Sequence, residues 1–157
     1  MRLSQIVSQT AIVAPLQSVE RDAVIGELLD ALVRSGAASE SVRDELLLRV
    51  LAREKMGSTG FGRGVAVPHV KHSSVRRMSA ALGVTPRGID FNSLDRQPVY
   101  SVFLLLSPED QPEEHLLAME AIFKNLSKDT FRRFLRQASS PEEVWVVLEE
   151  ADGQHLA

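Results

Sequence analysis

Cysteine is absent from the 157-residue sequence. Its absence excludes disulfide bridges, thiolate catalysis and Cys-ligated zinc. Aromatic residues are scarce, at 5% of the chain, while 44% of residues are apolar and 25% charged, an ordinary soluble composition. No excess of positive charge is present: Lys and Arg number 18 against 21 Asp and Glu, for a net charge of −3. Duplex nucleic acid would call for a basic face instead. Local basic spots at Arg76–Arg77 and at Arg132, Arg133 and Arg136 read as solvated surface. Long hydrophobic runs are missing too. The most apolar stretch, Val99 to Leu106, falls far short of the ~20 residues of a membrane helix. The opening Met1-Arg2-Leu3-Ser4-Gln5 lacks the apolar core of a secretory signal. A cytoplasmic protein that binds neither nucleic acid nor membrane is expected.

The length suits one domain, able to bury roughly 68–70% of its unfolded surface without metal or disulfide support. That domain is expected over residues 1–151, with 152–157 as a frayed C-terminal tail. A first strand is expected over Ala11 to Leu16, closed by Pro15, with Ser18 as the cap of the first helix. Ile25, Leu28, Leu29, Leu32 and Val33 recur at helical spacing before Gly36 stops the run. A second helix, capped by Ser39 or Ser41, carries Val42, Leu46 and Val50 and runs to about Lys55. Gly57-Ser58-Thr59-Gly60-Phe61-Gly62-Arg63-Gly64 has too much glycine for a helix or a good strand. Val65–Val67, Met78–Thr85 and Pro98–Leu106 read as strands, the last covered on both faces. Helices follow over Glu113–Leu126, Asp129–Gln137 and from Ser140-Pro141 to about Glu150. This order implies an α/β sandwich with helices flanking a small mixed sheet.

Chemistry narrows to few residues. Of four histidines, His155 lies in the tail and His72 in a polar, exposed-looking stretch. His69 follows an apolar strand and Pro68, just beyond the glycine-rich loop, on a turn that a rigid scaffold would present to solvent. A plain surface histidine is the alternative. Loop amides around Ser58, Thr59 and Gly60 could converge on an anion, although the loop is neither a Walker loop nor a dinucleotide fingerprint. Arg53 ends the second helix before this loop and could grip phosphate, or simply complement the helix dipole. His115 opens a later helix, whose amide end favours anions, or is a partly buried ring with one hydrogen bond.

In combination, Arg53-Glu54 and Gly57-Ser58-Thr59-Gly60-Phe61-Gly62-Arg63-Gly64-Val65-Ala66-Val67-Pro68-His69 resemble the enzyme IIA domains of the bacterial phosphoenolpyruvate-dependent phosphotransferase system. The resemblance is to the fructose/mannitol type. Gly88-Ile89-Asp90-Phe91 through Asp95-Arg96-Gln97-Pro98-Val99 leans toward its nitrogen-regulatory branch, and Glu114-His115-Leu116 also matches. The likeness spans essentially the whole chain. It implies a phosphoryl carrier with His69 as phosphoacceptor, Arg53 and His115 assisting transfer, and no cofactor or metal. It implies a histidine-containing phosphocarrier protein as donor and a cysteine-bearing IIB protein as acceptor. With no cysteine in this sequence, that acceptor is expected on another polypeptide. Two positions depart from the family pattern: Val70 replaces a small residue after the active histidine, and Phe61 replaces an aliphatic one. Val70 bears on which partner can dock on His69 more than on the chemistry. A regulatory module without onward transfer is the alternative. A metal-dependent hydrolase built on His69, His72 and His115 is disfavoured, because His-x-x-His in a loop lacks helical ligand geometry.

Overall fold

A computed structural model describes residues 1–154. The centre of the sheet follows from the apolar run of β6 (Val99–Pro108), which is buried on both faces. Its side chains alternate: Val102, Leu104 and Leu106 enter one core, Phe103 and Leu105 the other. Antiparallel β5 (Ser79–Ile89) lies along one edge of β6, and β1 (Val7–Val13) runs parallel to β5 as the outer strand. The other edge of β6 holds two short strands in sequence, β3 (Val65–Ala66) and β4 (His69–His72), both parallel to it. Strand β2 (Gly60–Gly62) closes that side, antiparallel to β3.

Helices cover both faces. Helices α2 (Arg21–Arg34) and α3 (Arg43–Met56) pack over one, with a 3-10 turn at Glu40–Val42 between them. The opposite face carries α1 (Leu3–Ile6), α4 (Pro112–Leu126), α5 (Asp129–Gln137) and α6 (Pro141–Asp152). The α/β sandwich with a mixed sheet is as expected. Gly83 explains the close seating of α2: a Cβ there would fall 2.7 Å from Leu16 and 2.9 Å from Leu28.

Several local expectations are corrected. The first strand is Val7–Val13, not Ala11–Leu16, and the first helix starts after Glu20 instead of Ser18. The Ser18 amide donates to the Glu27 carboxylate at 2.9 Å, so that residue serves the loop and not the cap. Gly60-Phe61-Gly62 does form a strand, because Gly62 (φ 115°), Arg63 (φ 61°) and Gly64 (φ 78°) make a tight left-handed turn back into β3. Asp152 belongs to α6, and its carboxylate accepts the Leu3 and Ser4 amides at 2.7 and 3.0 Å. It is therefore tied down, whereas His155 and the end of the expected tail lie outside the described residues.

Candidate functional site

His69 opens β4 and does not sit on a turn. Short as it is, the strand alternates strictly. His69 is partly exposed and Lys71 exposed, while Val70 and His72 are buried. The ring of His69 is held by its own chain, with Nδ1 2.8 Å from the Val67 carbonyl oxygen. A carbonyl only accepts, so Nδ1 carries a proton, and in the neutral ring the lone pair is on Nε2. Val67 is fixed in turn, its amide donating to Thr59 O at 3.2 Å.

His115 comes from the first turn of α4, and its ring centroid lies 5.7 Å from that of His69. It is buried, and Nδ1 shares a 2.6 Å hydrogen bond with the Ser107 hydroxyl. Burial above all, then the positive charge of Lys71 and the proximity of His69, push His115 down to about 4. It is a neutral ring at physiological pH.

Arg53 lies one turn from the end of α3 and donates to the Gly57 carbonyl at 2.8 Å. It has no carboxylate partner among the described residues. No hydrogen bond or ring contact joins it to either imidazole among those residues. The structure thus brings His69 and His115 together, while Arg53 is engaged with Gly57 O on the segment that leads to Thr59.

In the expected anion cradle of Ser58, Thr59 and Gly60, the Thr59 and Gly60 amides are already engaged. The Thr59 amide donates to buried Glu54 at 3.2 Å, and the Thr59 hydroxyl donates to the same carboxylate. The Gly60 amide donates to Ser58 Oγ at 2.9 Å, and that hydroxyl donates to Phe91 O at 2.8 Å. These groups hold the loop's shape.

His72 is also corrected from exposed to buried, at 5% exposure. Its Nδ1 accepts the Ser74 amide at 3.0 Å, and Nε2 lies 3.3 Å from Glu45. It faces away from His69 across β4, so the two cannot share a metal. Among the described residues no group of three or more His, Cys, Asp or Glu could hold one. Val70 points into the core beneath α2 and α3, on the face of β4 opposite His69.

Phe61 packs against Phe123 of α4, ring centroids 4.7 Å apart, which ties the β2–β3 hairpin to the helix that carries His115. Along α4, Leu116 and Phe123 leave apolar surface exposed. Ser107 and Lys71 escaped the sequence reading. The i, i+2 spacing from His69 could have found Lys71. A serine before proline gave no sign that Ser107 would be buried.

A mixed sheet with helices on both faces is the fold of phosphotransferase-system IIA components. The nitrogen regulatory protein IIA-Ntr of Neisseria meningitidis superposes with a TM-score of 0.80 at 33% identity, over 92% of this chain and 97% of that one. IIA mannitol of Escherichia coli shares the fold at 19% identity, with a TM-score of 0.72 over 90% of this chain and 97% of that one. The chain belongs to the family described as "Phosphoenolpyruvate-dependent sugar phosphotransferase system, EIIA 2", which matches residues 5–151. The nitrogen regulatory protein of Pseudomonas aeruginosa is 31% identical over 98% of this chain and 99% of its own length. The fructose-specific EIIABC component of Bacillus subtilis is 30% identical over 97% of this chain, which spans only 24% of that protein. No helix among the described residues is long and apolar enough to cross a membrane.

Proposed function

We propose that this chain is a cytoplasmic phosphoryl carrier that is phosphorylated on Nε2 of His69 by a histidine-containing phosphocarrier protein. The observation that carries the reading is the Nδ1–H of His69 bound to Val67 O, with His115 5.7 Å away. The lone pair of Nε2 attacks the phosphorus of the donor's protonated phosphohistidine. The N–P bond to the donor breaks as the new one forms, and the donor ring leaves as neutral imidazole. His69 becomes a phosphoimidazolium whose Nδ1–H stays on the Val67 carbonyl, so no proton needs to move during transfer.

Such a reaction asks the protein for positioning and for charge stabilisation on the equatorial oxygens. Neutral His115 has one N–H to offer. With the Ser107 hydroxyl donating to Nδ1, that N–H is on Nε2 and serves as donor to a phosphoryl oxygen. Arg53 turns from the Gly57 carbonyl toward the phosphoryl group. Opposite unit charges at 4 Å attract by about 4 kcal/mol at an effective dielectric of 20, less the cost of desolvation. Exposed Leu116 and Phe123 give partners an apolar docking surface.

The phosphoryl group then passes to the cysteine of a separate IIB protein, or its presence sets binding to a regulatory target. Near-complete mutual coverage with a nitrogen regulatory protein favours regulation. Incubation with phosphoenolpyruvate, enzyme I and the phosphocarrier protein, followed by intact mass, should add one acid-labile phosphoryl group. His69→Ala should add none; labelling of that variant would refute the assignment. Adding a fructose-type IIB domain then separates the two outputs, because only a transport carrier discharges onto its cysteine.

A further inference from the structure

The basic residues Arg132, Arg133 and Arg136 do not stand alone in the folded chain. They line a cleft of about 810 Å³ with Arg63, Tyr100 and two aspartates. Small-molecule sites are roughly 300–1,000 Å³. Four guanidinium groups meet two carboxylates there, in a chain of net charge −3. Neither carboxylate neutralises the set. Asp129 lies 3.3 Å from Arg132 and 3.9 Å from Arg133. Asp95 is spent on backbone: it accepts the Gln97 amide at 3.0 Å and the Arg63 amide at 3.1 Å. These bonds, that of Gln97 first, hold its carboxyl below the usual range. The side chains of Arg63 and Arg136 are left with no carboxylate partner among the described residues.

The cleft is also braced. The Arg136 guanidinium sits 3.6 Å over the centre of the Tyr100 ring, which fixes its plane and leaves its edge N–H groups for a ligand. Tyr100 is pinned by its amide on Gly64 O at 2.8 Å. The glycine lets the hairpin close on the ring, since a Cβ at Gly64 would lie 3.2 Å from it. That closure is what brings Arg63 across from α5. Two unpaired guanidinium groups, one from the β2–β3 turn and one from α5, match adjacent phosphates better than a single anion. His69 pairs with Leu105 in register, five residues beyond Tyr100 on β6, about 17 Å along the strand.

We propose that this cleft binds a diphosphate group, carried by a nucleoside diphosphate or present as free pyrophosphate, at a site separate from the histidine pair. The test is titration of the full chain with sodium pyrophosphate and, separately, with ADP at constant ionic strength, followed by calorimetry and two-dimensional NMR. Saturable one-to-one binding is expected, with shifts centred on Tyr100 and Arg136. Tighter binding of ADP identifies a nucleotide, and equal affinities identify the free diphosphate. Arg63→Gln and Arg136→Gln, both at exposed positions, should each weaken binding about tenfold. His69→Ala should bind unchanged, which keeps this outcome independent of the phosphocarrier reading. The proposal is overturned if neither compound binds above a sodium chloride control, or if both glutamine variants bind like the parent. Tighter binding of a polyglutamate peptide would overturn it too, by marking a protein-docking face.

Discussion

His69 and His115 lie side by side, yet different partners set which ring nitrogen of each carries the proton. The proton of His69 is pinned by a carbonyl, which has no second role to play. His115 relies on a hydroxyl that can donate or accept. Ser107→Ala should therefore slow phosphorylation of His69 about tenfold, the worth of one modest hydrogen bond, and change the nitrogen shifts that report the His115 tautomer. A parent-like rate would show that the hydroxyl does not orient the ring. The burial of His115 has a separate consequence. The unfolded ring takes up a proton near 6.5, the folded one only near 4. Between those values the unfolded chain binds more protons, so stability rises with pH. The contribution is complete above 6.5 and is lost as pH falls toward 4. Urea unfolding at pH 7 and pH 4.5 should differ by on the order of 2 kcal/mol from this residue. His115→Gln should lack that part of the difference, and an unchanged difference would place its source elsewhere.

Among the elements, β4 decides most with the fewest residues. One face presents His69 and Lys71 and the other buries Val70 and His72. Restoring a small residue by Val70→Gly should cost about 2–4 kcal/mol of unfolding free energy, from lost burial and added chain entropy. Phosphorylation of His69 should stay within twofold of the parent. A marked change in rate would mean that Val70 shapes the site after all. Little of this was legible beforehand. His-Val-Lys-His has no hydrophobic alternation, and four residues give too short a window for a period-2 signal. The burial of His72 depends on Glu45 and Ser74, the former contributed by a distant helix. The glycine strand β2 was hidden in the same way: pairing with β3 and the Gly62–Gly64 turn outweigh poor strand propensity. Elements with a strong period of their own, β6, α2 and α4, were readable because local pattern and burial agree. His69 and Arg53 stood out through a resemblance of spacing; by composition alone they were ordinary.

At the scale of the whole molecule, the histidine pair and the chain ends share one side of the sheet. The core of that side includes Leu3 and Ile6 from the start of the chain and Val147, Leu148 and Ala151 from its last described helix. Asp152 joins the two ends by accepting the otherwise unpaired first amides of α1. An Asp152→Ala variant leaves those amides without their acceptor and should lose about 1–2 kcal/mol, comparable to a helix cap. The site itself is set by β4, β6 and α4, and Asp152 makes its hydrogen bonds to none of them. Unfolding by urea should register the loss, while the rate of phosphoryl uptake by His69 stays within twofold of the parent. If that rate falls along with stability, the packing of α1 and α6 reaches α4 and the position of His115. The layer would then act as one mechanical unit instead of a scaffold with a separable site.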